Sequence, residues 1–230
     1  MGGFKVNNGI IIQARMGSSR LPGKVMKNFN GKSLLGQIVF RLKRKNNDAK
    51  VVIATSTLEC DDVIERFCRE NGTECFRGSE SNVLERYFQC ARKYQFDNIV
   101  RMTADNPFPD IEELDNLIDF HISNKYDFSE CLTQLPIGVG MEMFTHDCLE
   151  DDMINAYMPH HFEHVDEYVL ENKKKYRYGI MPVPREKCYP NISLTVDTLD
   201  DYKKACYILE KSSDEYVTTE EAIRLCMQYV

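Results

Sequence analysis

No stretch of this chain approaches the ~20 consecutive apolar residues that a bilayer-spanning helix needs. The opening Met1-Gly-Gly-Phe-Lys5 has no apolar core of the signal-peptide kind. Together these absences predict a cytoplasmic protein with no membrane partner. Positive charge is scarce too: 29 Lys and Arg face 36 Asp and Glu, for a net charge of −7. Nucleic-acid binding requires clustered cations along a phosphate track, so no nucleic-acid partner is expected. The run Lys173-Lys174-Lys175 reads as a solvated helix end. Cysteines number nine, an odd count, with no C-x-x-C pair among them. Cys68, Cys90, Cys206 and Cys226 fall at apolar helix or strand positions, which predicts buried reduced thiols. A disulfide framework or zinc site is disfavoured on the same grounds. Internal repeats and low-complexity tracts are also missing.

What is present is an ordinary globular composition, 43% hydrophobic and 28% charged. A length of 230 residues suits one domain, 1–230, with an insertion at 126–190. The first half alternates strand and helix patterns. Strands are expected at 9–14, 51–55, 74–77 and 98–103. Helices are expected at 33–45, from Asp61-Asp62 onward, around Leu84, Tyr87, Phe88 and Ala91, and at 111–123. This alternation predicts an α/β fold, three layers deep, with helices on both faces of a mostly parallel sheet. The middle holds strand-like pieces at 126–132, 139–144 and 176–183, with helices near 146–156 and 162–173. It reads as an antiparallel and helical sub-region. Residues 192–196 return as a strand, and two helices close the chain, the last opened by Thr218-x-x-Glu221.

The most informative stretch is Ile10-Ile-Ile-Gln-Ala-Arg-Met-Gly-Ser-Ser-Arg-Leu-Pro-Gly-Lys24. An apolar run breaks into a turn carrying Arg15, Arg20 and Lys24 beside exposed backbone N–H groups, which suits a polyphosphate. It is not the common P-loop, because five residues separate Gly17 from Gly23 and Val25 replaces the metal-binding Ser or Thr. A metal would have to be held by carboxylates elsewhere. Lys24 is expected on an exposed loop.

Asp105 and Asp197 each follow an apolar run, in Thr-Ala-Asp and Thr-Val-Asp contexts. Ligands of open parallel sheets bind along the C-terminal strand ends, where both aspartates and the basic turn could meet. Two carboxylates facing a polyphosphate make an Mg²⁺ site. Taken singly, Asp105 could instead cap the turn before Pro107, and Asp197 the helix after it.

The opening segment resembles the A-R-x-x-S-x-R-L-P-G-K signature of cytidylyltransferases that activate acidic sugars, closest to the spore-coat polysaccharide type of the acylneuraminate cytidylyltransferase family. The likeness continues through Arg77-Gly-Ser-Glu80, Val83-Leu84, Arg101-x-Thr-Ala-Asp-x-Pro107 and Leu194-Thr-Val-Asp-Thr-x-x-Asp-Tyr202, and weakens in the middle. It implies a nucleotide-diphospho-sugar transferase fold, and transfer of CMP from CTP to a sugar hydroxyl with release of pyrophosphate. Arg15, Lys24, Asp105 and Asp197 would be catalytic, with Asp105 and Asp197 holding Mg²⁺. Ala14, Gly17, Ser18, Arg20, Ser79 and Thr103 would join Arg15 and Lys24 around the nucleotide. Ser81 and Asn82 depart from the acidic residues expected after Ser79-Glu80, which leaves the base open.

Acceptor recognition would fall to the middle segment, which is also the expected surface of a homodimer. Arg101, Glu142 and His161 are the candidates. Arg101 could reach an anion or serve a structural ion pair, and Glu142 could hold sugar hydroxyls or lie on a strand surface. His160, His161 and His164 lack a matching third ligand for a metal. Other transferases of this fold, using another nucleotide or transferring a sugar, are alternatives, as is a non-catalytic nucleotide-binding module.

Overall fold

The computed structural model describes residues 6–229, so the reading of Met1–Lys5 lies outside the described residues. In chain order it runs β1 (Asn8–Gln13), the short ribbon β2 (Asn28–Phe29) and β3 (Lys32–Ser33), α1 (Leu34–Leu42), β4 (Lys50–Ser56), α2 (Asp62–Asn71), β5 (Glu74–Gly78), α3 (Val83–Tyr94), β6 (Asn98–Thr103) and α4 (Ile111–Asn124). The second part comprises β7 (Phe128–Glu130), β8 (Glu142–Thr145), α5 (His146–Asn155), α6 (Pro159–Glu163), α7 (Glu167–Glu171), β9 (Tyr178–Ile180), α8 (Leu199–Lys211) and α9 (Thr219–Cys226).

Ile10, Ile11 and Ile12 are wholly buried, and the period-two geometry of a strand sends them to opposite faces. Ile10 and Ile12 pack into a core with Leu35 and Ile38 of α1, Leu114 of α4 and Ile208 of α8. Ile11 packs into a second core with Leu84 and Tyr87 of α3 and Leu149 of α5. Two cores on two faces explain why this strand is a continuous apolar run rather than an alternating one. The result is a three-layer α/β fold.

Seven strands form one sheet in the order β5-β4-β1-β6-β8-β7-β9. β1, β4, β5 and β6 are mutually parallel, β8 is antiparallel to β6 and β7, and β9 runs parallel to β7. The middle segment therefore continues the central sheet. Residues 192–196 differ from expectation: they form an extended segment with a single bridge, Ile137 to Ser193. Leu194 N–H donates to Ile137 and Val196 N–H donates to Asp105, so this segment stitches two loops together instead of joining the sheet. Gly138, with φ of 88°, lies so close that a Cβ there would sit 2.8 Å from the Thr195 nitrogen. The helix expected over 162–173 is broken into α6 and α7, with His164 in an extended conformation at the end of α6.

Candidate active site

β1 ends at Gln13, and its continuation Ala14 hydrogen-bonds to Ala54 of β4 before the chain turns away. The turn folds on itself: Ser18 and Gly23 both donate N–H to the Met16 carbonyl, and Gly23 sits in the left-handed region with φ of 69°. Asp61, expected only as a helix-start charge, anchors the turn from beneath. It is buried, takes the Met16 N–H at 2.7 Å, and accepts from the Ser56 hydroxyl. The Ser18 N–H thus faces inward, and its hydroxyl accepts weakly from Leu21.

A cavity of about 300 Å³ opens at this rim. Ala14, Arg15, Gly17, Ser18, Arg20, Lys24, Arg101, Thr103, Asp105 and Asp197 all line it. The two aspartates face the same point. Lys24 Nζ lies 3.1 Å from Asp105, 2.9 Å from Asp197 and 2.9 Å from the Val196 carbonyl. Neither carboxylate serves as a cap. Thr198 caps α8 by accepting the Asp201 N–H, and Asp105 instead accepts from the Thr103 hydroxyl. Arg20 reaches Asp197 at 2.9 Å, and Arg15 spans to Glu163 at 2.7 Å. Lys24 is not on an exposed loop: it is 8% exposed, because the aspartates and the 192–196 segment close over it.

Four sequence candidates are placed differently. Glu142 is opposite Arg101 in the β6–β8 register, fully buried and ion-paired to it, and so is occupied rather than presented to a sugar. Burial pulls the Arg101 pKa down, but Glu142 and Asp166 outweigh it and hold the guanidinium charged above its ordinary range. Arg101 therefore lines the cavity with its charge already engaged. His161 is wholly buried away from the cavity. Its Nδ1 faces the Tyr157 and Met158 N–H groups, and its Nε2 meets Glu171 at 3.0 Å. Glu171 also meets His160 at 2.8 Å and is the third partner that sequence spacing did not reveal. An Nδ1 accepting backbone N–H groups leaves Nε2 as the protonated nitrogen, which suits a hydrogen-bonded clasp between α6 and α7 rather than a metal. Ser79 lies outside the cavity lining, in the turn before α3, where its hydroxyl accepts the Asn82 N–H.

Arg86, Glu163 and His164 line the cavity without having been singled out as cavity residues. Arg86 hid inside the apolar stripe of α3. The only sequence signal was a charged residue at an inward helical position.

A mostly parallel sheet with a basic turn after its first strand, facing Asp105 beyond β6 and Asp197 at the end of the 192–196 segment, is the arrangement of the nucleotidyltransferase class. A sequence model described as cytidylyltransferase matches residues 9–211. The chain belongs to the cytidylyltransferase family. It is 36% identical over 222 residues to the spore coat polysaccharide biosynthesis protein SpsF of Bacillus subtilis, covering 94% of this chain and 92% of that protein. A solved cytidylyltransferase from Leptospira borgpetersenii superposes with a TM-score of 0.91 at 32% identity, covering 97% of this chain and 95% of the other. A CMP:2-keto-3-deoxy-manno-octonic acid synthetase complexed with CTP shares the fold, with a TM-score of 0.68 at 17% identity over 89% of this chain and 99% of the other.

Proposed function

We propose that the protein transfers CMP from CTP to a hydroxyl of an acidic sugar, releasing pyrophosphate, in the biosynthesis of a surface polysaccharide. The observation that carries this is the convergence of Lys24, Asp105 and Asp197 at one point of the cavity. The cations of the turn neutralise the aspartates and Glu163. A triphosphate with a divalent cation offers the same partners in exchanged order: phosphate to Arg15, Arg20 and Lys24, metal to Asp105 and Asp197. The Asp105 and Asp197 donors are hard oxygens, and their charges face the lysine from two segments, which fits Mg²⁺. When bound, that ion neutralises charge on the phosphate oxygens.

The acceptor hydroxyl oxygen forms a bond to the α-phosphorus and loses its proton to water as the bond from that phosphorus to the bridging oxygen breaks, the oxygen leaving with pyrophosphate. Charge grows on the departing pyrophosphate, where Lys24 and Arg15 stabilise it. No protein nucleophile is required, and fixing the reactants in the cavity supplies the rest. Nine free cysteines fit a cytoplasmic location. Among the described residues no helix is long and apolar enough to cross a membrane. A homodimer formed through 126–190 belongs to the same proposal, and Ile154 and Tyr157, 73% and 72% exposed, supply apolar surface for it.

The test is a pyrophosphate-release screen of CTP, UTP, GTP and ATP against a panel of acidic sugars with Mg²⁺. Release with CTP and one of the sugars is expected. Release with another triphosphate in place of CTP would overturn the choice of nucleotide.

A further inference from the structure

Five Lys and Arg side chains line the cavity, and four of them meet a carboxylate. Arg15 has Glu163, Arg20 has Asp197, Lys24 has both aspartates, and Arg101 has Glu142. Arg86 is the exception among the described residues. It is 1% exposed, and its one recorded bond runs from Nη1 to the Ser79 carbonyl at 2.6 Å. Its Nε–H is buried with no acceptor. Burial pushes its pKa below the ordinary arginine range, with the neighbouring Arg15 charge adding to it and Tyr87, Asp61 and Glu163 opposing it only in part.

A desolvated guanidinium whose nearest carboxylates, Asp61 and Glu163, act on it without forming an ion pair is costly to keep. Holding the Ser79 carbonyl requires a single neutral donor, so that bond does not account for a full positive charge. The charge is balanced once an anion enters the cavity. Arg15 and Arg86 face the same space, and two neighbouring guanidinium groups call for a multiply charged anion rather than a single carboxylate. The free edge of a guanidinium matches the paired oxygens of a phosphate.

We propose that Arg86 is a further phosphate-binding residue of the active cavity, sharing the polyphosphate of the nucleotide with Arg15. It rests on the nucleotidyl-transfer reading for the identity of that nucleotide, but inorganic pyrophosphate probes the contact without any nucleoside.

Pyrophosphate, CTP and cytidine are each titrated calorimetrically into the wild type, Arg86→Met and Arg86→Lys, with circular dichroism to verify folding. Removing the guanidinium is expected to weaken pyrophosphate and CTP by at least ~10-fold, leave cytidine unchanged, and be partly rescued by lysine. A residue that merely positions the Ser79 turn would weaken cytidine as much as CTP, and that result overturns the proposal. So does unchanged pyrophosphate affinity in a folded variant. Should R86M fail to fold, Arg86→Gln, which keeps a donor for the Ser79 carbonyl, carries the same comparison. Wild-type protein that binds pyrophosphate but not CTP would overturn the nucleotide assignment while leaving the Arg86 comparison intact.

Discussion

The two halves of the sheet treat charge in opposite ways. On the β5-β4-β1-β6 side, the ion pairs sit at the rim, and their carboxylates are accessible. The side chains of Asp105 and Asp197 are 30% and 26% exposed. On the β8-β7-β9 side Arg177–Asp127 stays at the surface, but the carboxylates nearest the cavity wall are interred: Glu130, Glu142 and Asp152 are all buried, and Glu142 is locked against Arg101. Partly solvated pairs can be exchanged for ligand atoms at little cost, whereas buried pairs are held because separating them is expensive. The rim pairs are therefore the exchangeable ones, and the interior pairs are framework.

That contrast is broken most directly at Asp197. Asp197→Asn is expected to lower pyrophosphate release by about a thousandfold while leaving the urea unfolding midpoint near that of the wild type. A large stability loss with modest activity loss would place this aspartate in the framework instead. Arg101→Met is expected to behave oppositely. Leaving Glu142 buried without its partner costs about 3 kcal/mol or more in urea unfolding. An unaltered unfolding curve would dissolve the distinction between the two halves.

Asp152 sharpens it further. Both its carboxylate oxygens are buried without a hydrogen-bond partner, and burial, with Asp166 and Asp151 nearby, raises its pKa from 3.8 to about 8. The folded protein then binds a proton that the unfolded chain has already released between these values. This group's contribution to stability is complete below about pH 4 and is lost as pH rises to about 8. Asp152→Asn should flatten that decline and gain about 1–3 kcal/mol at pH 8, read from unfolding curves across the range. A variant that tracks the wild type at every pH would refute the assignment. The smallest effect is expected at the boundary. Glu163→Gln removes the nearer of the two carboxylates on Arg15, leaving Glu80 at 3.6 Å, which should lower KM for CTP by about two- to fivefold with kcat unchanged. A raised KM would mean that Glu163 positions Arg15 rather than competing for it.

The same division explains what could be read from the amino-acid sequence. Strand and helix periodicity placed β1, β4, β5 and β6 within a few residues, because each is bounded by a turn and packed by an amphipathic helix. The convergence of the basic turn with both aspartates at one rim was legible because each follows an apolar run. Three things were not visible. The 192–196 segment has the apolar content of a strand, but its bonds go to the Ile137 and Asp105 loops. Pairing of Glu142 with Arg101 depends on the register between β8 and β6, which local pattern does not specify. Asp61 looked like a helix-start charge, and only the fold brings it under Met16. Lys24 was misjudged for the same reason, since the groups that cover it arrive from the far end of the chain.

The narrow seam between Gly138 and Thr195 has a practical corollary. Asp197 lies two positions beyond a contact that tolerates no side chain on the facing loop. A methyl group added at residue 138 would press on the Thr195 backbone and on Asn106, and the strain would pass along two residues of chain to Asp197 and across to the loop that carries Asp105.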